Sequence, residues 1–202
     1  MTPTELKVVT SHFSKILFVG HPLPKNYELD GPFAPADTRL IATLCHHPNP
    51  GVREVWSEPA VMVAATEAAS YGLLLGARGG NSSVLYAINE LRPTGHMLHI
   101  DQHTAAFPRR TLAEAFGFAS REVLAKAAET SWLGVVEMIR DLAFSGQTLV
   151  VSAHWMMIRL MVRSFARAVG QENFSEALLH MTKHGGELYL WTSGHWLRDV
   201  GL

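Results

Sequence analysis

Short apolar runs, bounded by glycine, proline or polar residues, recur along the chain and predict β-strands. Residues 15–20 (KILFVG) form a brief apolar run and are expected to be the first strand. The strand leads directly into a loop, because the two prolines that follow exclude a helix. Residues 52–57 (VREVWS) are expected to form a second strand, and residues 84–91 (VLYAINEL) have an extended pattern. Residues 148–152 (TLVVS) are mostly β-branched and apolar and follow a glycine, which is typical of an interior parallel strand.

Segments of helix-forming composition alternate with these runs. Pro59 stands near the start of residues 58–75, which are predicted to form a helix after the second strand. Two more helices are predicted at about 111–128 and 131–144, and another, rich in Met, Ile, Leu and Val, follows His154 at once. The alternation of strands and helices indicates an α/β fold.

The end of the chain has a different pattern. Residues 186–192 (GELYLWT) and 195–200 are extended in pattern and flank Ser193 and Gly194, which predicts a β-hairpin. We therefore expect a three-layer α/β/α sandwich with a mostly parallel sheet and a C-terminal antiparallel hairpin, built as one domain over residues 1–202.

Composition favours a small molecule as the partner. Hydrophobic residues make up 48% of the chain and charged residues 17%, so the interior is large or some apolar surface is covered in a homodimer. The net charge is −1 and no basic stripe stands out, which argues against a nucleic-acid or membrane partner. With one cysteine, no signal-peptide pattern and no apolar run near the ~20 residues of a membrane span, a cytoplasmic protein is expected.

Two histidines directly follow predicted strands. His21 ends the first run, and His154 follows the run at 148–152. Ligands of open α/β sheets bind outside the carboxyl ends of the strands, and right-handed crossovers bring these ends to one edge. The two histidines are therefore expected to share a pocket. The local pattern around His154 also fits a histidine that only caps a strand and bonds a neighbouring carbonyl.

These motifs resemble the histidine phosphatase superfamily, also called phosphoglycerate mutase-like. FVGHP (18–22) is similar to the family's first-strand Arg-His-Gly, and VVSAHWMMIR (150–159) to its later Ser-His-Gly strand and Ile-Arg helix. VWSEPAVMVAATEAASYGL (55–73) is similar to the family's strand, Ser-Pro turn and helix. Further likenesses follow in the same order at residues 109–115 (RRTLAEA), 128–142 (AETSWLGVVEMIRDL) and 186–202 (GELYLWTSGHWLRDVGL).

The resemblance implies that His21 is the nucleophile that becomes phosphorylated and that His154 hydrogen-bonds the phosphoryl oxygens. The two family arginines that hold the phosphate correspond here to Gly20 and Met62, which are expected to line the substrate site. Losing one such donor costs about 3 to 4 kcal/mol of transition-state stabilisation in well-studied enzymes. Ordinary phosphatase chemistry would therefore need other cations, and a different reaction that uses the histidines as acid and base stays open.

The family's general acid precedes its Arg-Ser/Thr-Leu segment, which places it within residues 89–103 (NELRPTGHMLHIDQH) of this chain. Depending on the alignment, the acid falls at Asp101 or His99, with Glu90 as a third candidate. Asp101 is the acid that we expect from this resemblance, because a carboxylic acid at that position can protonate the leaving oxygen.

Other rings are expected to form the wall of the pocket. His99 and His103 are predicted to line it, and Trp155, next to His154, suits a flat or apolar substrate. No metal or other cofactor is predicted, but an alternative remains: histidines at spacings of three and four suit zinc and related ions. The residues concerned are His96, His99 and His103, with Cys45, His46 and His47 as a second group.

Three functional hypotheses result. The first is a divergent, hydrolase-like or repurposed biosynthetic enzyme that acts on a small metabolite through His21 and His154, with Asp101 as the acid. The second is a catalytically silent member that binds a ligand or a partner. The third is a metal-dependent enzyme built around the histidines at 96, 99 and 103.

Overall fold

A computed structural model of the chain describes residues 1–21, 46–66, 84–92, 121–142, 148–173, 177–181 and 186–198, together with Leu44 and Ala68. These residues form an α/β fold around one mixed sheet of seven strands. In chain order the elements are α1 (Pro3–His12), β1 (Lys15–His21), α2 (Pro50–Ser57), β2 (Ala60–Ala65), β3 (Val84–Ile88) with a 3₁₀ turn (Asn89–Leu91), α3 (Arg121–Asp141), β4 (Thr148–His154), α4 (Trp155–Ala168), β5 (Leu178–Met181), β6 (Glu187–Thr192) and β7 (His195–Trp196).

The strand order in the sheet is β3-β2-β4-β1-β6-β5, with β7 paired to β6. Strands β1, β2, β3 and β4 are parallel to one another, whereas β6 runs antiparallel to β1 and both β5 and β7 run antiparallel to β6. The predicted parallel sheet is thus confirmed for one half of the sheet, and the other half is antiparallel.

The central strands are apolar because both of their faces are covered. All seven residues of β4 and all six of β2 are buried, as expected of interior parallel strands. Phe18 of β1 packs against Trp132 of α3 and Phe165 of α4, with ring centroids 6.1 and 6.0 Å apart. Helices α3 and α4 therefore cover the sheet face to which Phe18 points.

The segment between β1 and β3 corrects two predictions. Residues 52–57 were expected to form a strand, but they belong to α2, which buries Val52, Val55 and Trp56. These three residues follow the i, i+3, i+4 spacing of a helix face. Asn49 caps the helix, because its side-chain oxygen accepts a hydrogen bond of 2.9 Å from the N–H of Gly51.

The helix predicted at 58–75 is wrong over its first part, where Ala60–Ala65 form β2. Alanine and methionine favour helices on their own, but burial on both faces of a sheet overrides that preference. The two helices predicted at 111–128 and 131–144 are also wrong as separate elements, because α3 runs without a break through Arg121–Asp141. Residues 111–120 lie outside the described part of the chain.

The C-terminal hairpin is confirmed. Strands β6 and β7 pair antiparallel across Ser193 and Gly194, whose φ angles are +50° and +85°. Positive φ at both central residues is the mark of a type I′ turn, which suits the twist of a two-residue hairpin. Strand β7 is shorter than predicted and spans His195–Trp196.

None of the helices in the described ranges combines the length and the apolar character needed to cross a bilayer.

Candidate functional site

His21 and His154 lie side by side at the carboxyl edge of the sheet. Each is the last residue of its strand, and the two are register partners in the parallel pair β1–β4. Neighbouring strands are about 4.8 Å apart, so the two Cα atoms are close and both side chains project to the same face. His21 is 2% exposed and His154 is fully buried. The structure therefore brings the two histidines together, as the sequence predicts.

Two polar residues extend this edge across the sheet. The strand registers place Thr66, which directly follows β2, level with His154, and Asn89, which follows β3, level with Thr66. The hydroxyl of Thr66 donates a hydrogen bond of 3.1 Å to Oδ1 of Asn89. Sequence reasoning missed both residues, although the polar residue after each apolar run was a usable signal once the strands were correctly bounded.

Gly20 is a glycine because the start of α4 passes close to β1. A Cβ atom at this position would lie 3.0 Å from Cα and 3.3 Å from Cβ of Trp155. It would also lie 3.5 Å from Cβ of Glu187. An arginine side chain here would have to displace backbone, so Gly20 supplies only main-chain atoms to the site.

Met62 does not belong to the site, and its assignment as a substrate-binding residue is wrong. It is 1% exposed in the middle of β2, where it pairs with Val150. His154 lies four residues further along β4, which places Met62 about 13 Å below the level of the histidines at ~3.3 Å per residue. The assignment rested on a helix over this segment, and the segment is a strand.

A buried ion pair lies next to the histidines on the other face of β1. Nε of Arg159, on α4, donates to both carboxylate oxygens of Glu187, at 2.7 and 2.8 Å, and Nη2 donates to Oε1 as well. The hydroxyl of Tyr189 donates to Oε2 at 2.9 Å. The side chains of Arg159 and Glu187 are 12% and 1% exposed, so the pair is shielded from solvent.

The pair has clear electrostatic consequences. Burial alone would lower the pKa of Arg159, but the hydrogen bonds and the charge of Glu187 raise it on balance, so the guanidinium stays cationic. Burial and the charge of Glu187 both raise the pKa of Tyr189, so its hydroxyl stays protonated and donates. The cation and the anion cancel, and sequence reasoning assigned no role to any of these three residues.

Trp155 contacts both the histidine pair and the buried ion pair. Its half-buried ring lies 5.7 Å from the ring of His154, tilted by 48°, and the guanidinium carbon of Arg159 lies 5.0 Å from the indole centroid. A cation over the face of an indole is stabilised by the ring quadrupole. Trp155 is therefore held beside His154, where a pocket wall was predicted, and its contact with substrate stays a prediction.

Several predicted residues fall outside the described ranges: Asp101, His99, His103, His96 and Cys45. Glu90, the third candidate for the acid, is described and lies exposed in the 3₁₀ turn after β3. Its backbone carbonyl accepts a hydrogen bond of 2.7 Å from Ser131 of α3. Glu90 therefore lies in the turn that directly follows β3, one residue after Asn89.

His47, one of the histidines of the metal hypothesis, has a structural environment. It is fully buried, its Nδ1 accepts from the N–H of Asn49 at 3.1 Å, and its Nε2 lies 3.3 Å from the carbonyl of Leu179. Since Nδ1 accepts, Nε2 carries the proton and donates. Within the described ranges, no three side chains of His, Cys, Asp or Glu are grouped so as to hold a metal ion.

No protein-family model matches the chain, and no curated protein sequence matches it significantly.

Proposed function

We propose that the chain is a small-molecule enzyme of the histidine-phosphatase-like class, in which His21 and His154 carry the chemistry. We also infer the three-layer α/β/α sandwich of that class. Helices α3 and α4 cover the face of the sheet to which Phe18 points. Helix α2 approaches Leu190, whose side chain projects to the opposite face. The single cysteine and the net charge of −1 support a cytoplasmic protein with a small-molecule substrate.

The observation that carries the proposal is the pairing of two buried histidines at the carboxyl ends of adjacent central strands. An imidazole can both donate and accept a hydrogen bond, so two of them in register place paired donor and acceptor groups at one point of the edge. The edge is also the one at which ligands of parallel α/β sheets bind. A local capping role explains one histidine, but it does not explain why its register partner is also a histidine.

In the phosphoryl-transfer version of the proposal, a ring nitrogen of His21 attacks phosphorus. The N–P bond forms as the bond from phosphorus to the leaving oxygen breaks, and an acid protonates that oxygen. A water molecule then gives a proton to the carboxylate of that acid and attacks the phosphohistidine, so an O–P bond forms, the N–P bond breaks and inorganic phosphate leaves. His154 donates a hydrogen bond to a phosphoryl oxygen in both steps. Asp101 is the proposed acid, and Glu90 is the described alternative.

A second candidate is acid–base chemistry on an uncharged substrate, and two observations favour it. Gly20 has no room for an arginine, and the charge of Arg159 is balanced by Glu187. His21 would then accept a proton from the substrate while His154 supplies one, or the reverse. Trp155 would form an apolar wall for such a substrate.

Turnover of a generic aryl phosphate and mass-spectrometric detection of phosphohistidine test the first version. Wild type is expected to show both, and His21→Ala is expected to abolish both. His195→Ala is the matched control, because His195 is an exposed histidine on β7, away from the site. If wild type turns over no member of a broad panel of phosphate esters, phosphoryl transfer is ruled out for this site.

Untargeted substrate screening addresses acid–base chemistry. Any turnover found is expected to require both His21 and His154, and turnover that survives both alanine substitutions would contradict the proposal. If screening finds no turnover and a ligand still binds at the histidine edge, the silent-binder hypothesis replaces the enzyme. Stoichiometric metal in the purified protein would instead favour the metal-dependent hypothesis built on His96, His99 and His103.

A further inference from the structure

A cavity lies between Met1, α3 and α4, at a distance from the histidines. Its volume is about 570 Å³, within the range of small-molecule sites. Arg163, on its wall, follows His154 by nine residues, which corresponds to about 13 Å along α4. The cavity is therefore separate from the histidine edge of the sheet. The described residues that line it are Met1, Leu124, Ala125, Ala128, Leu160, Arg163, Ser164, Arg167 and Ala168.

Two arginines stand on the wall that α4 contributes. Arg163 and Arg167 are four residues apart, so they are neighbours on one face of the helix, with Cβ atoms about 6 Å apart. Both are exposed, and among the described residues neither guanidinium has an ion-pair or hydrogen-bond partner. The described lining of the cavity also contains no carboxylate. The cavity therefore carries two uncompensated positive charges, in contrast to Arg159 one turn earlier, whose charge Glu187 balances.

The helix dipole does not account for this pair of charges. A cation in the last turn of a helix is stabilised by the partial negative charge there, which explains Arg167. That effect falls off within one turn, and Arg163 lies a turn further back, where a like charge four residues away destabilises a helix slightly. An anion between the two guanidinium groups would remove this repulsion and pair with both.

Beside the arginines the cavity has one hydroxyl and an apolar floor. Ser164 lies between them in sequence, and its hydroxyl accepts a hydrogen bond of 2.9 Å from the amino group of Met1, so its own proton is available to donate. The floor consists of Leu124, Ala128 and Leu160, of which Ala128 and Leu160 are each 6% exposed. Adjacent cationic and apolar surfaces match a molecule that has an anionic end and an apolar body.

We propose that this cavity binds a small amphipathic anion, whose head group lies between Arg163 and Arg167 and whose apolar body packs on the floor of the cavity. Ser164 donates a further hydrogen bond to the head group. Arginine binds carboxylates and phosphates alike, so the shared chemistry is a head group in which at least two oxygens carry the negative charge. The proposal is independent of the reaction at the histidines, since the two sites share no residue.

Titration of the ¹⁵N-labelled protein with octanoate, octyl phosphate and octanol tests the proposal. The three probes share an apolar chain and differ in the head group, and binding is followed by the amide resonances. At least one of the two anions is expected to bind at a single site, about tenfold or more tighter than octanol, and to shift the resonances of residues 124–128 and 160–168. Tighter binding of octanoate assigns the site to carboxylates, and tighter binding of octyl phosphate assigns it to phosphate esters.

Variants of the arginines isolate the contact with the head group. Arg163→Gln and Arg167→Gln are each expected to weaken binding of the anion about three- to tenfold and to leave octanol binding unchanged. Arg140→Gln is the matched control, because Arg140 is an exposed arginine of α3 outside the cavity, and its loss changes the net charge by the same amount.

Four results would each overturn the proposal. They are no saturable binding of either anion, octanol binding as tight as that of the anions, wild-type affinity in both arginine variants, and resonance shifts confined to the histidine edge. None of these measurements requires turnover, so failure here is distinct from failure of the proposed function.

Discussion

The ion pair between Arg159 and Glu187 predicts a large and specific loss of stability in Arg159→Met. Methionine retains much of the apolar stem of Arg159 that packs beside Trp155. It removes the positive charge and the hydrogen bonds that Arg159 donates to Glu187. The carboxylate, 1% exposed, would then lie in the protein interior with Tyr189 as its described donor. An unpaired buried charge of this kind is the main source of the expected effect.

The magnitude follows from the burial of both partners. Breaking a buried pair by removing one member typically costs about 3 to 5 kcal/mol of unfolding free energy, against a total of roughly 5 to 15 kcal/mol for a domain. Removing one member of an exposed ion pair would cost less than about 1 kcal/mol of unfolding free energy, so the measurement distinguishes a buried pair from an exposed one. Arg159→Met/Glu187→Leu removes both charges, and its stability is expected to lie within about 1 kcal/mol of wild type or above it.

Urea unfolding followed by circular dichroism measures these differences. At pH 7 the single variant should lose the full amount, whereas the double variant should stay close to wild type. A loss below about 1 kcal/mol in Arg159→Met, or a double variant no more stable than the single one, would refute the reasoning.

Three further predictions concern other parts of the fold. Gly20→Ala places a methyl group 3.0 Å from the backbone of Trp155, so a loss of about 1 to 3 kcal/mol is expected in chemical denaturation, and wild-type stability would contradict the close approach. Burial raises the pKa of Glu58, but the hydrogen bond and the charge of Lys15 outweigh it and lower that pKa on balance. The ion pair therefore stabilises the fold at pH values above the unfolded pKa of Glu58. This stabilisation is lost as the pH falls through the folded pKa. Glu58→Gln should therefore cost below about 1 kcal/mol at pH 7 and nothing near pH 2, and a pH-independent difference would show that the charge is unimportant. Ser193→Asn should raise the melting temperature slightly, because asparagine tolerates the positive φ of +50° better than serine, and an unchanged or lower value would argue against the turn type.

Strands β1 and β4 were predictable because burial on both faces leaves a strong local signal. Each is a short apolar run of the kind that interior strands require, and a histidine ends each run. Their shared edge then followed from the handedness of crossovers alone. The placement of the two histidines was therefore predictable, because it depends only on where two strands end.

The segment around α2 and β2 shows why local patterns fail. Val52, Val55 and Trp56 have high strand propensity, but the cap at Asn49 and their helical spacing place them on a buried helix face. The reverse holds for Ala60–Ala65, whose helix-forming residues are buried in the sheet. Helix α1 was missed although Thr2 and Glu5 form a capping box, since its apolar pattern is weak.

The ion pair beside the histidines could not be predicted for a different reason. Arg159 and Glu187 lie on separate elements, and each alone reads as an ordinary surface charge. Only the antiparallel register, which sets Glu187 opposite Gly20, brings the carboxylate under α4. The same register explains why position 20 is a glycine: a side chain there would meet Trp155 and Glu187, and the sequence does not reveal either neighbour.

The pairing of β1 with β4 also constrains when the molecule can fold. Lys15 and Thr148 are partners, so about 130 residues separate the two strands whose ends hold the histidines. At a synthesis rate of ~5 to 20 residues per second, β1 leaves the ribosome roughly 7 to 26 s before its central neighbour exists. During that interval an apolar strand has no parallel partner, and closing so long a loop is slow. The histidine pair is therefore expected to be among the last features to form and, in the finished protein, to open only with the sheet itself.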